Sequence, residues 1–232
     1  MVWSRAAVIG ASGGIGAALA DALEAKGTQV HRLSRSGGGS HTSIDLGDEA
    51  SIAAAAQELG QGGSLDLVLV ATGYLHTEGA GPEKDWRHLS SEEFTRNFAI
   101  NAAGPALVAK HFLPLLSDNA RSGFAALSAR VGSISDNRLG GWYAYRASKA
   151  ALNQLIRTLA VELARKKPDA FCVALHPGTV DTALSEPFQR NVPEGRLFRP
   201  QFSAEKLLGV LSSLEPRDSG RIFAWDGEEI EP

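Results

Sequence analysis

The 232-residue sequence predicts an α/β fold, a single-domain doubly wound parallel sheet with helices on both faces. Three observations carry that expectation. Short apolar runs alternate with longer stretches of helical periodicity. One run, LDLVLVA, is almost continuously apolar, as suits a strand buried on both faces. No linker or internal repeat interrupts residues 1–232, and 44% apolar residues suffice for one substantial core.

In order along the chain, AAVIG (6–10) reads as the first strand. The helix after it lines up Ile15, Leu19, Ala22 and Leu23 on one face, with Gly27 as the glycine that closes it. TQVHRL (28–33) and TSIDL (42–46) are the second and third strands. Asp48 is placed to cap the next helix, whose inner face carries Ile52, Ala56 and Leu59. LDLVLVA (65–71) is the fourth strand. Ser90 and Glu93 have capping-box spacing ahead of a long helix with Phe94 and Phe98 turned inward. Pro105 should kink that helix just after Asn101. GFAALS (123–128) is another strand, followed by a helix over 143–166 that Pro168 stops. FCVALH (171–176) and RIFAW (221–225) end the sheet, with a helix near 203–214 between them. The segments 73–89 and 177–202 lack periodicity and leave the carboxyl ends of strands, where ligands of open α/β sheets bind.

Charge excludes several function classes. The net charge is -3 and no Lys/Arg block stands out, so nucleic acid is not an expected partner. No apolar run approaches the ~20 residues of a membrane span. The opening MVWSRAAVIGASGG lacks the apolar segment of a leader, and the expectation is a cytoplasmic protein. Cys172 is the only cysteine, which excludes an intramolecular disulfide and fits a reducing compartment. Its setting, FCVAL, reads as buried strand.

Between the first strand and helix runs Gly10-Ala11-Ser12-Gly13-Gly14-Ile15-Gly16. Here the chain must turn sharply, admit a ligand to its backbone and pack a helix against the sheet. Glycine meets each need because it has no Cβ. The helix N-terminus then faces a pyrophosphate with unpaired N–H groups, so the turn predicts a Rossmann-like dinucleotide site. An acid about 20 residues beyond would bind a ribose 2′-hydroxyl, but no acidic residue occurs from Ala25 to Ile44. Ser34-Arg35 stands there instead, a hydroxyl and a guanidinium suited to a 2′-phosphate, so NADP(H) is preferred over NAD(H).

The stretch WYAYRASKAALN (142–153) holds two phenols and one lysine. Residues four apart share a helical face, so Tyr145 pairs with Lys149, whereas Tyr143 meets Ala147. A phenol beside an ammonium can act as a general acid or base.

Taken together, these motifs resemble the short-chain dehydrogenase/reductase family over nearly the whole chain. Gly10-x-x-x-Gly14-x-Gly16 is similar to its cofactor motif, and Asp45-Leu46 to its adenine-contacting pair. Asn101 matches its structural and proton-relay asparagine, and Tyr145-x-x-x-Lys149 its catalytic pair. Pro177-Gly178-Thr179-Val180-Asp181-Thr182 matches the segment that clasps the nicotinamide end. GPEKDW, SARVGSI, GGWYAYRASKAALN and HPGTVDT further resemble the subgroup of C-signal-type proteins and sniffer-like carbonyl reductases. Two departures stand out. Ala71-Thr72-Gly73 replaces the family's Asn-Ala-Gly, and Gly73 keeps the close approach to cofactor. Ser128-Ala129-Arg130-Val131-Gly132 replaces Ser-Ser-x-x-Gly, so the usual catalytic serine is Ala129.

The resemblance implies Tyr145 as general acid for carbonyl reduction, Lys149 as its electrostatic tuner and ribose ligand, and Asn101 as anchor of a relay water. Ser128 cannot simply stand in for position 129, because adjacent strand side chains point to opposite faces. Ser133, in the following loop, is the candidate substitute, the alternative being none. Trp142 and Tyr143 are expected at the substrate side or an interface, and His176 as a satisfied core residue at a strand end. Glu228, Glu229 and Glu231 read as a solvated tail. The expected function is NADP(H)-dependent hydride transfer with a small-molecule carbonyl or alcohol. Its rival is a dinucleotide-binding signalling or scaffold protein with weak catalysis. Related enzymes pair through the helices bearing Asn101 and Tyr145, so a homodimer or homotetramer is expected.

Overall fold

Along the central strands, alternate side chains enter two separate apolar layers, one on each side of the sheet. Ile9, Val68, Val70, Phe124 and Cys172 face one layer, and Val8, Leu67, Leu69, Phe171 and Val173 the other. This alternation is what a parallel sheet covered on both faces requires. It is seen in a computed structural model that describes residues 3–77 and 81–232. The strands are β1 (Arg5–Ile9), β2 (Gln29–Ser34), β3 (His41–Ser43), β4 (Leu67–Val70), β5 (Ser122–Leu127), β6 (Ala170–His176), β7 (Thr179–Val180), β8 (Leu197–Phe198) and β9 (Ile222–Ala224). Seven of them form one parallel sheet in the order β3-β2-β1-β4-β5-β6-β9. The order reverses between β1 and β4, where a doubly wound sheet opens its binding crevice.

Helices α2 (Glu49–Gly60), α4 (Gly104–Phe112) and α5 (Tyr143–Lys166) cover the first layer; α1 (Gly14–Glu24) and α6 (Pro200–Ser213) cover the second. Helix α3 (Ser91–Phe98) runs into α4. Cys172 is free and fully buried, and burial pushes its thiol pKa up. Gly123 on β5 leaves room for the Phe171 ring, with which an added Cβ would collide. Among the described residues no helix is long and apolar enough to cross a membrane.

Four expectations need correction. The segment 177–202 is not structureless: β7 and β8 pair in a small parallel ladder, and Glu186–Asn191 forms a 3-10 turn. Part of the other loop, 78–80, lies outside the described residues. The capping box is half made, because Ser90 Oγ accepts from the Glu93 N–H while the Glu93 carboxylate bonds Tyr74 and Thr77 instead. Phe98 is exposed, and the inner face of α3 carries the buried Asn97 and then Asn101. Nor is the C-terminal segment a free tail. Glu228 pairs with Arg130 at 2.8 Å, Glu229 with Arg221 at 3.3 Å, and Ile230 is buried.

Next to Pro105, where a kink is expected, the helix widens. A π-helical turn, Ala99–Ala103, joins α3 to α4. Proline has no N–H to give to the carbonyl four residues back and its ring crowds that carbonyl, which is Asn101's; the wider turn relieves the crowding.

Candidate active site

The glycine turn is held by its own backbone: Gly10 and Ala11 N–H both donate to the Leu33 carbonyl, and Gly13 N–H to Gly10. Gly10 has φ +86°, open to glycine and strained for other residues. At Gly16 an added Cβ would collide with the Gly10 carbonyl oxygen, so helix and turn can touch only through glycine. Gly13 caps α1 without a side-chain partner, and Ser12, Gly13 and Gly14 are exposed there while Ile15 is half-buried. An added Cβ on Gly14 would lie 2.8 Å from Thr182 Cγ2, so the turn meets the Pro177–Thr182 segment. Gly178 (φ +79°) in that segment gives room to Phe198 and Trp225, Thr179 is half-buried, and Val180 is buried.

These residues fit a dinucleotide. The exposed, uncapped helix N-terminus suits a pyrophosphate, and Thr72 Oγ1, beside Gly10, is buried without a hydrogen-bond partner. Ala71 is half-buried behind it. Gly73 is exposed, and its added Cβ would meet only Leu184 and Asn101, at 3.6 and 3.9 Å. At the end of β2 the two predicted phosphate ligands separate. Ser34 is buried and its Oγ lies 3.0 Å from His41 Nδ1, whereas Arg35 is exposed and has no hydrogen-bond or ion-pair partner among the described residues. Its neighbour Arg32 is tied to Asp21 and Glu24. Asp45 is exposed, and Leu46 packs where Gly104 leaves space on α4.

On α5, Tyr145 and Lys149 share one buried face, with Lys149 Nζ 5.7 Å from the centre of the phenol ring. Lys149 Nζ donates to the Leu127 carbonyl at 2.8 Å. Burial pushes the Tyr145 phenol up to about 12 and draws the Lys149 ammonium down to about 7. In the protein by itself burial therefore outweighs the lysine, the reverse of a lowered phenol pKa, because both groups favour their neutral forms away from water. Tyr143, half-buried at the helix start, does not share this face.

Asn101, fully buried, has its carboxamide committed. Its Oδ1 accepts from Tyr74 N–H at 2.9 Å, and its Nδ2 donates to Tyr74 O, Asn97 Oδ1 and Ser148 Oγ. It thus staples the loop after β4 to α5. Ser128 is buried with its Oγ donating to Asn153 Oδ1 at 2.7 Å. Ser133 Oγ accepts from Asp136 N–H and contacts Ser135 Oγ, so this hydroxyl is tied within its own loop. That loop sits against α5, since an added Cβ on Gly132 would meet Lys149. His176 departs from expectation: its Nδ1 is buried without a partner, and burial, with Arg130 nearby, lowers its pKa to about 4.

Sequence reasoning missed His41, His76 and Phe188. Phe188 packs on Trp142 with ring centres 4.9 Å apart, His76 meets Phe188 edge-on at 5.4 Å, and Trp142 meets Tyr145 at 6.3 Å. His76 and Phe188 sit in the aperiodic loops, where no pattern marks them; His41 lies two residues beyond a run of three glycines that could have drawn notice.

Comparison with known proteins agrees with this geometry. A family described as enoyl-(acyl carrier protein) reductase matches residues 5–224. C-signal of Myxococcus xanthus is 39% identical over 60% of this chain and 78% of its own length. The 1-hydroxy-2-glutathionyl-2-methyl-3-butene dehydrogenase of Rhodococcus sp. (strain AD45) is 30% identical over 97% of both chains. Among solved structures, an NADPH-bound carbonyl reductase from chicken fatty liver covers all of both chains at 26% identity and a TM-score of 0.85. The carbonyl reductase Sniffer of D. melanogaster, at 22% identity and 0.82 over 99% of both chains, shares the fold. A match running from residue 5 to residue 224, from the first strand of the sheet to its last, makes the chain a member of the short-chain dehydrogenase/reductase family of oxidoreductases.

Proposed function

We propose that this protein is an NADP(H)-dependent oxidoreductase that transfers a hydride between the nicotinamide and a carbonyl or alcohol substrate. The observation that carries the reading is the buried Tyr145/Lys149 pair on one face of α5. Gly10, Ser12, Gly13, Gly14, Ile15 and Gly16 would hold the pyrophosphate, Asp45 and Leu46 the adenine, and Arg35 the 2′-phosphate. Ala71, Thr72, Gly73, Ser128, Pro177, Gly178, Thr179, Val180 and Thr182 would line the ribose and nicotinamide side. The bound nicotinamide supplies or accepts the hydride.

Tyr145 Oη gives its proton to the carbonyl oxygen in reduction and takes it back in oxidation. Lys149 stabilises the phenolate left behind and, on leaving the Leu127 carbonyl, holds the ribose. Because the Asn101 carboxamide is fully committed, a relay water at this residue would bind its main-chain carbonyl, which Pro105 cannot engage. Ser133 would need to exchange its contacts with Ser135 and Asp136 before it could bind a substrate oxygen.

A second reading, a dinucleotide-binding signalling or scaffold protein with weak catalysis, is favoured by one observation. Ala129 stands where the family has its serine, and the hydroxyls flanking it are occupied. A turnover screen with NADPH over aldehydes, ketones and quinones separates the two. Under the first reading at least one compound oxidises NADPH catalytically, and Tyr145→Phe lowers that rate by about 10²–10⁴-fold while NADPH still binds. Tyr143→Phe changes it by only a few-fold. Binding of NADPH without turnover would select the second reading.

A further inference from the structure

Three segments far apart in the sequence contribute aromatic rings to one chain of contacts, His76 to Phe188 to Trp142, that ends on Tyr145. His76 comes from the loop after β4, Trp142 from the residue before α5, and Phe188 from the 3-10 turn at Glu186–Asn191. The Trp142 ring bridges the others, touching Phe188 at 4.9 Å and Tyr145 edge-on at 6.3 Å. Its backbone is unusual. Trp142 is the only non-glycine residue with positive φ among the described residues (φ 53°, ψ 44°). A left-handed backbone is costly for a bulky side chain, and its presence beside a functional group marks a held position. Gly140 and Gly141, both at positive φ, lead the chain into it, and the Trp142 N–H donates to the Glu83 carbonyl at 2.6 Å. Leu184, 40% exposed, reaches Gly73 from the same 181–196 segment.

We infer that Trp142 and Phe188 are the specificity-determining residues, forming an aromatic wall that selects planar apolar carbonyl compounds over puckered ones of equal size. This rests on the reading of Tyr145 as the proton donor, because the wall matters only where the reacting carbonyl must meet that phenol. Flat rings offer offset-stacked and edge-to-face contacts that a saturated ring cannot match. A planar substrate would lie against Trp142 and Phe188 with its carbonyl toward Tyr145. His76 backs Phe188 edge-on and so fixes its tilt.

The test uses matched pairs with NADPH present. Benzamide and cyclohexanecarboxamide are close in size, are not substrates for hydride transfer, and differ in planarity. Calorimetric titration should give benzamide about three- to tenfold tighter binding in the unmodified protein. Trp142→Gly deletes the ring yet suits a left-handed backbone, so it should close the gap, as should Phe188→Ala, whereas Trp142→Phe should largely restore it. Kinetics on benzaldehyde and cyclohexanecarbaldehyde should move the same way, with the ratio of kcat/KM falling chiefly through KM. Equal or absent binding of the two amides by the unmodified protein overturns the inference. So does a gap that survives in both Trp142→Gly and Phe188→Ala. If the gap is present and responds to these variants but neither these aldehydes nor any compound of the turnover screen consumes NADPH, the wall stands as a binding surface for planar compounds and the reductase reading falls.

Discussion

Lys149 is a basic side chain buried to 2% exposure in a protein that must keep it dry. Burial lowers its folded pKa to about 7 from an ordinary value of 10.5. Between those values the unfolded chain holds a proton that the folded protein has released, so stability rises with pH across that window. The slope from one such group approaches about 1.4 kcal/mol per pH unit. Tyr145 acts in the opposite sense: its folded pKa of about 12 lies above the ordinary 10, so its contribution is complete below pH 10 and is lost above it. Urea unfolding at pH 7, 8 and 9 without NADPH should therefore show the unmodified protein gaining stability relative to Lys149→Met as pH rises. Parallel curves for the two would show that Lys149 is not held neutral. The pairing behind this prediction was legible in the sequence, because a spacing of four fixes a shared helical face. The state of single polar atoms was not. That Ser133 is tied to Asp136 and that His176 Nδ1 lacks a partner follow from which loops pack together, and no spacing encodes that.

At the level of elements, the carboxyl end of β2 is where we propose that the cofactor is chosen. Side chains there alternate, so Ser34 points into the protein toward His41 while Arg35 points out, its guanidinium unpaired among the described residues. Selectivity for the 2′-phosphate should thus rest on Arg35. Arg35→Ala should weaken NADPH binding by about tenfold or more, the scale of one charge-assisted hydrogen bond, and leave NADH within about twofold. Ser34→Ala should matter less. Fluorescence titration of both cofactors against both variants measures this; equal affinity of the unmodified protein for NADPH and NADH would sink it. The central strands could be read from the sequence because burial on both faces makes them continuously apolar. β7 and β8, two residues each, leave no periodic trace, and neither does the π turn, which forms where Pro105 perturbs an otherwise ordinary helical pattern.

For the whole molecule, the remaining question is what covers the outer helices. Helix α5 turns Leu152, Ile156, Ala160 and Leu163 to the sheet, leaving Leu155 and Leu159 half-buried on its flank. Val161 stands 46% exposed on its solvent side. Across the junction of α3 and α4, Phe98 is 38% exposed, with Ala99 and Ala103 also open to solvent. We propose that a second copy of the chain covers this side in a two-fold contact, since a surface of small and apolar residues on two long helices suits isologous packing. The expected assembly is a homodimer or homotetramer. Sedimentation equilibrium at micromolar concentration should give two or four times the mass of one chain. Val161→Asp would bury a carboxylate from each copy in the proposed contact, where desolvation opposes association. That variant should shift the mass toward a single chain while NADPH binding persists, because Val161 lies far along α5 from Tyr145 and Lys149. A monomer in the unmodified protein would overturn the assembly, and an unchanged oligomer in Val161→Asp would move the contact to another face.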